Sequence, residues 1–458
     1  MSNNDYAASR RRFIAAIGAD AAALLLPFGG ASVLNAQCAP PGNTTNPTAW
    51  NGDCRAIRTR RPASTLTSSE INKLRAAYTA MRALDTTDAA DPRGFRRQAN
   101  IHCFHCAGEG PQVHFGDNFL PWHRGYLYFH ERILGKLIGD MDLRLPYWDW
   151  ENPADRRLPP SYATPGNNGN SLWNSTRAMS PTDTLPAGDV DLSDAFSQTT
   201  FSTFSDSIES IPHGPVHVDV GGDMSAFSTA GRDPIFFTHH GNIDKAWSDW
   251  NAASASNTNP TSAAWLNTSW GFFDENKVWR TIKNSDVTNH SSNLRYVYGT
   301  RVYEYISILC IRRWRDFQLV SLAPMTRFRL DRANLRDMQA AVEKKTPVHM
   351  QFTGVELPRD RSAVYNAYLT QQEAQQNKGE GSPGYLGIVP VVVADPEGRH
   401  KLPQPRYLSF NLAGRMRGLT ERADSIEVYL ADRKAKEGQV RVLQMRAKGV
   451  SIRVAELG

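Results

Sequence analysis

Nine of the chain's twelve histidines lie between His102 and His240. They form two groups: His102, His105, His114, His123 and His130, then His213, His217, His239 and His240. His213 and His217 stand four apart, so on a helix both rings leave the same face. His123 and His240 fall in two other stretches with helical apolar spacing. Two pairs of antiparallel helices could therefore aim three imidazoles each at a common centre, as metal-binding bundles do. All-imidazole sites suit zinc, copper, iron or nickel. The two Glu-x-x-His motifs of a di-iron bundle are absent, as is the His-Glu-x-x-His of a zinc hydrolase. Six neutral donors with no anionic ligand favour a metal stable at low charge. Copper(I) fits, with two ions close enough to share one dioxygen. His130 and His239 read as structural neighbours of the site, and His290, His349 and His400 as solvated.

The elements that must position these rings are legible in part. Thr67-Ser68-Ser69-Glu70 is a capping box, and Ile71, Leu74, Tyr78, Met81 and Leu84 then share one helical face. A second helix is expected over about 119–138, with Phe119, Trp122, Tyr126, Phe129, Ile133 and Leu137 on its apolar side. A third covers about 234–250. Residues 154–210, rich in Ser, Thr, Asn, Gly and Pro, form a long irregular excursion of the kind that shapes pockets. The first 300 residues thus read as helical with long loops. From about residue 326 the period becomes two: Val348, Met350 and Phe352 alternate with polar neighbours, as do Ile426, Val428 and Leu430, and Val450, Ile452 and Val454. That pattern predicts an all-β sandwich of antiparallel strands. Residues 371–384 read as a flexible loop within it. The expected organisation is a leader over 1–36, a catalytic domain over 37–310, a linker over 311–325 and a β-sandwich domain over 326–458.

Composition narrows the class. With 40% hydrophobic residues the chain can build a real core, which excludes a disordered or fibrous protein. The net charge of +6 is scattered, so no nucleic-acid partner is expected. No apolar run is long enough to span a bilayer. Ser9-Arg10-Arg11-Arg12-Phe13-Ile14, a weakly apolar run and a small-residue end near Ala36 resemble a twin-arginine export signal. Such a leader, bacterial in type, implies a periplasmic or secreted protein with no stable membrane association after cleavage. Export permits disulfides among Cys38, Cys54, Cys103, Cys106 and Cys310, and an odd count leaves at least one thiol otherwise committed.

Longer motifs carry a resemblance. Gln98 to Cys106 (Q-A-N-I-H-C-F-H-C), Phe119 to Arg124 (F-L-P-W-H-R), Tyr128 to Arg132 and Leu145 to Trp150 (L-P-Y-W-D-W) resemble plant polyphenol oxidases. So do Pro212-His213 to His217, and Arg232-Asp233-Pro234 through His239-His240 to Asp244. The resemblance covers most of residues 70–300 and identifies a plant-like member of the type 3 copper proteins: tyrosinases, catechol oxidases and haemocyanins. It implies a mainly α catalytic domain whose four-helix bundle holds a dicopper centre, followed by an all-β shielding domain. Copper A would be bound by His102, His114 and His123, and copper B by His213, His217 and His240. Spacing from the Asp-Pro pair favours His240 over His239. His105 stands where the plant motif has Tyr and is not expected to ligate. The resemblance further implies a thioether between Cys106 and His114. Cys103 would pair with Cys38 or Cys54, and Cys310 would stay buried and free.

The implied activity is O₂-dependent oxidation of small ortho-diphenols to ortho-quinones. The β domain would keep the enzyme latent until proteolysis near 300–325. Glu209 would hold a water beside the site, and Phe227 would cap the entrance above copper A. Gly214 directly follows the first copper B histidine. Ready monophenol hydroxylases often carry Asn there, so Gly214 implies catechol oxidase over tyrosinase. The alternatives are tyrosinase or ortho-aminophenol oxidase action and, in another class, a haemocyanin-like O₂ carrier. The oligomeric state is not legible.

Overall fold

The computed structural model describes residues 38, 46–106, 110–165, 169–299, 311–323, 325–330, 338, 340–341, 348–395, 402–412, 425–436 and 439–457. The expected leader, residues 1–36, and Cys310 and His400 lie outside them. Among the described residues, no helix is long and apolar enough to cross a membrane.

The first part is mainly helical. Helix α1, Ser68–Thr87, starts at the expected capping box: Thr67 accepts from the Glu70 N–H, and the Glu70 carboxylate accepts from the Thr67 N–H. Helix α2 is Phe95–Cys106 and α3 is Phe119–Leu137. Sixteen of the nineteen α3 residues are buried, so this helix is core on every side rather than amphipathic. Helix α4, Phe201–Ile208, leads through a kinked turn at Glu209–His213 into α5, Gly214–Val220. Helix α6 is Ile235–Ala253. The helical part also contains strands. Hairpin β1 (Ser269–Phe273) and β2 (Trp279–Lys283) packs Phe272 against Trp122, Tyr126 and Phe129 of α3.

The C-terminal region is β-rich. Strands β3 (Ile311–Gln318), β4 (Val348–Thr353), β7 (Tyr407–Asn411) and β10 (Gly449–Leu457) form one antiparallel sheet in the order β7-β4-β10-β3. Strands β5 (Ala363–Tyr368), β6 (Tyr385–Val391), β8 (Tyr429–Asp432) and β9 (Val442–Gln444) form a second, ordered β6-β5-β8-β9. The alternating triplets face each other across the first sheet: Val450 opposite Phe352, Ile452 opposite Met350 and Val454 opposite Val348, all at most 3% exposed. The opposite face of this sheet is polar and meets the helical part. His349 and Ser409 both reach Asp194, and Arg453 reaches Gln198.

Three expectations change. Residues 311–318, read as linker, are strand β3, paired along β10. Arginines at 312, 313 and 315 between apolar Ile311, Trp314 and Phe317 masked the alternation. Residues 371–384, read as a flexible loop, hold helix α7, Gln371–Gln376, capped by Thr370 and Glu373. His349, read as solvated, is 1% exposed because it lies on the sheet face that docks.

Candidate metal centre

Three segments deliver the first set of rings. Helix α2 supplies His102, the loop after it His114, and α3 His123. Their ring centroids lie 5.1–5.8 Å apart. Helix α5 and the residue that caps it supply His217 and His213, 4.5 Å apart, and α6 supplies His240, 5.0 and 5.5 Å from them. The sets adjoin: His123 stacks on His240 at 4.3 Å, and His114 on His213 at 5.6 Å. Candidate donor atoms of His102, Cys106, His114 and His123 all lie within 4.8 Å of one another, and so do those of His213, His217, His239 and His240.

Backbone carbonyls fix the tautomers. A carbonyl only accepts, so a ring nitrogen bonded to one carries the proton and the other nitrogen keeps its lone pair. Nδ1–H donates to the Phe227 carbonyl from His102 (2.8 Å), to Phe119 from His123 (2.8 Å), to Glu209 from His213 (3.3 Å) and to Met224 from His217 (2.7 Å). Nε2 of His102, His114, His123 and His213 is buried with no partner, and Nε2 of His217 and His240 face each other at 3.4 Å. Buried polar atoms without partners are rare because each costs about 1–3 kcal/mol. Four of them, with the facing His217–His240 pair, around one space fit metal ions.

Burial pushes all six rings below the usual histidine range, and neighbouring imidazoles push most of them further. His123 falls to about 3 and His217 to about 4. All six are therefore neutral, the form that ligates. His239 is oriented differently. Its Nδ1 accepts from the Trp150 indole N–H at 3.3 Å, which places its proton on Nε2. His105 donates to the Pro111 carbonyl and packs on Trp122, and His130 bonds the Tyr78 hydroxyl and stacks on Phe237.

Cys106 is a buried free thiol, and burial raises its pKa. Cys38 and Cys103 form a disulfide, and Cys54 is exposed and free. Phe227 stacks on His114 at 4.1 Å. Glu209 is buried. One of its oxygens accepts the Phe115 N–H at 2.8 Å, and the other has no hydrogen-bond partner. Burial raises this carboxyl well above the usual range. Phe115 holds a φ of +60°, a left-handed conformation that turns its N–H onto Glu209.

Above Glu209, Phe227 and His213 the C-terminal region forms a roof that the sequence did not reveal. Arg359, Pro390, Val392 and Tyr407 line and narrow the cavity, whose volume is about 40 Å³. That space holds a water or a diatomic gas, whereas a benzene ring needs roughly 150 Å³. Gly214 sits directly beneath Pro390: a Cβ there would lie 2.9 Å from the proline Cβ. The missing side chain at 214 is thus required by the docked strand β6, a reason unrelated to substrate choice.

Residues 92–201 and 168–253 match the family described as the common central domain of tyrosinase, and 259–307 match the polyphenol oxidase middle domain. The chain is 33% identical over 309 residues to polyphenol oxidase B of Solanum lycopersicum, covering 55% of this chain and 51% of that one. It spans about half the length of the curated relatives it matches. The crystal structure of a Vitis vinifera polyphenol oxidase aligns over 58% of this chain and 91% of its own, at 31% identity and a TM-score of 0.51. Latent apple tyrosinase aligns over 90% of this chain and 99% of its own, with a TM-score of 0.61. At 22% identity that likeness shows the fold alone, and it extends the match through the β-rich region.

Proposed function

Because the chain belongs to the type 3 copper polyphenol oxidases of the tyrosinase family, we propose that it oxidises ortho-diphenols to ortho-quinones with dioxygen, and that the intact chain is latent. Proteins of this family carry a binuclear copper centre, and the two histidine groups fit it. The observation that carries the reading is the convergence of six buried imidazole Nε2 atoms, four of them aimed by carbonyls on Nδ1.

In this reading His102, His114 and His123 hold copper A, and His213, His217 and His240 hold copper B, within a four-helix bundle of α2, α3, α5 and α6. Copper supplies the one-electron couples through which a diphenol's two electrons reach dioxygen. The chain supplies the rest. Phe227 presents a ring face above His114 on which a phenolic ring stacks. The unpartnered Glu209 oxygen is the atom on which a phenolic proton lands, directly or through one water. Its burial makes it a stronger base than a solvated carboxylate. Cys106 forms a thioether to a ring carbon of His114, the thiol S–H and the ring C–H giving up two protons and two electrons that dioxygen takes up. This bond immobilises the one ring of the first set with no hydrogen bond on either nitrogen. The intact mass would then be lighter by two hydrogens than the sequence and its disulfide require. The roof of Arg359, Pro390 and Val392 excludes the phenol until it is displaced. Residues 1–36 direct twin-arginine export to the periplasm or medium.

Metal content and O₂ uptake with catechol, before and after limited proteolysis, test the proposal. Two coppers per chain and uptake that rises on cleavage are expected. One metal per chain, zinc in place of copper, or no catechol-dependent uptake in either form would overturn it. The small cavity also favours a second reading, an O₂ carrier without turnover. Reversible O₂ binding with no quinone after cleavage would select that.

A further inference from the structure

We infer that the β-rich region is a brace as well as a lid: the chain at Val393–Ala394 helps to hold His102 in its metal-binding orientation, so copper A leaves faster, though slowly compared with turnover, once that contact is broken. The inference rests on the copper reading above.

Three of the four anchoring carbonyls are local: four residues before His123, four before His213 and seven after His217. The fourth is not. His102 relies on Phe227, 125 residues away. The Phe227 loop is held from outside the helical part. The Phe227 N–H donates to the Val393 carbonyl at 3.2 Å, and the Ser228 N–H to the Ala394 carbonyl at 2.9 Å. Ser362 joins the two sides, donating from Oγ to the Ser225 carbonyl and accepting from the Val393 N–H at 2.9 Å. Ala394 also packs against the Cys38–Cys103 disulfide, and Cys103 follows His102 on α2. The same two residues therefore support both the carbonyl that aims the His102 ring and the covalent anchor beside its backbone. Through Phe227 they also support the ring stacked on His114. The carbonyls that anchor the second histidine set, Glu209 and Met224, take no bond from the β-rich region themselves, although α5 meets that region at Gly214 and Asp219 and Met224 adjoins Ser225. Loss of a group that orients a metal-bound histidine typically weakens metal binding about 10–100-fold.

The test uses the full copper-loaded chain. Ser362→Ala removes both hydroxyl bonds, and Ser362→Thr keeps a hydroxyl. Ser409→Ala removes an equivalent interface bond to Asp194, away from the loop. Copper loss to a chelator is followed by metal analysis and by electron paramagnetic resonance. Two coupled cupric ions give no signal, and one left alone does. Ser362→Ala should lose one ion about tenfold faster than the parent, leaving a resonance signal from the half-filled site. Ser362→Thr and Ser409→Ala should match the parent. Equal retention in Ser362→Ala, simultaneous loss of both ions, or equally fast loss in Ser409→Ala would overturn the brace. In the parent chain the Phe227 and Ser228 amides should exchange as slowly as those of β4 and β10, and rapid exchange would overturn it without any variant. A parent chain that takes up no copper would instead remove the copper reading itself.

Discussion

The two histidine sets are built by different means. In the second set, His213 and His217 are one helical turn apart, and their anchoring carbonyls belong to the same short segment. Local backbone geometry nearly completes that half once α5 forms, and α6 adds His240. The first set draws on a helix, a loop and a second helix. It is finished by a carbonyl from residue 227 and by a disulfide to residue 38. A site assembled locally tolerates disturbance of distant contacts, whereas one assembled across the chain inherits every weakness of the contacts that hold it.

The largest expected effect tests the local half. His240→Ala should remove one copper and lower diphenol turnover on the order of 10⁴-fold, as losing one member of a catalytic unit does. His239→Ala should keep both metals, because its Nδ1 accepts from Trp150 and its Nε2 therefore carries the proton rather than a free lone pair. Its penalty is stability, about 1–3 kcal/mol for the buried indole N–H left unpaired, read by thermal unfolding. The reverse pattern would exchange the two residues' roles. Glu209→Gln comes next. It spans the two halves, since its carboxylate bonds Phe115 beside His114 and its carbonyl anchors His213. Replacement leaves the carbonyl in place, so both metals should stay while turnover of the proteolysed enzyme falls about 100-fold. Loss of metal would show that the side chain supports the site rather than moving protons.

The same contrast explains what could be read in the sequence. The i,i+4 spacing of His213 and His217 is a local signal, and the capping box at Thr67–Glu70 and the triplets at 348–352 and 450–454 are others. Each reappears where its period placed it. His114 carries no local signal, because it lies in a loop whose shape depends on Phe115 and Glu209. Only the resemblance singled it out. The roof was illegible for the same reason. Arg359 and Pro390 lie more than 140 residues from His213 in sequence and meet its cavity only through docking. Gly214 carries a second constraint invisible in the sequence: beside the substrate preference its type suggested, the close approach of Pro390 also demands a residue without a side chain. Strand β3 was hidden by its arginines.

The interface itself allows a smaller test. Arg433 bonds Asp189 at 2.6 Å and Asp219 at 2.7 Å, and Arg406 bonds Asp206 at 2.7 Å and Asp117 at 3.0 Å. Charge-assisted bonds of this kind contribute about 1.5–3 kcal/mol when partly buried. Arg433 keeps a fifth of its side-chain surface and Arg406 more, so the lower end applies. Arg433→Ala with Arg406→Ala should raise catechol oxidation by the intact chain about tenfold and leave the proteolysed enzyme unchanged. No rise in the intact chain would show that these pairs do not hold the roof.

The smallest effect is a pH dependence of latency, and its sign follows from the same aspartates. Burial and the neighbouring Asp219 raise Asp189 to about 8, against the pull of Arg433. Burial, with Asp117 adding to it, raises Asp206 to about 6, against Arg406. Asp219 and Asp117 stay beside these carboxyls when the region lifts, so only the share of each shift that comes from burial under that region is released, and to that extent the docked state holds the protons more tightly. Their contribution to docking is therefore complete below about 3.8 and is lost as pH rises, through about 6 for Asp206 and about 8 for Asp189. Asp194 runs the other way. Burial would raise it, but His349, Ser207 and Ser409 together lower it, so it weakens docking only in stronger acid. Between pH 5 and 9 the activity of the intact chain, divided by that of the proteolysed enzyme, should rise with pH. Asp189→Asn should flatten the upper part of that rise, because the amide has no proton to release. A ratio that falls with pH would mean that carboxylate–arginine attraction outweighs the burial of the aspartates in holding the two regions together.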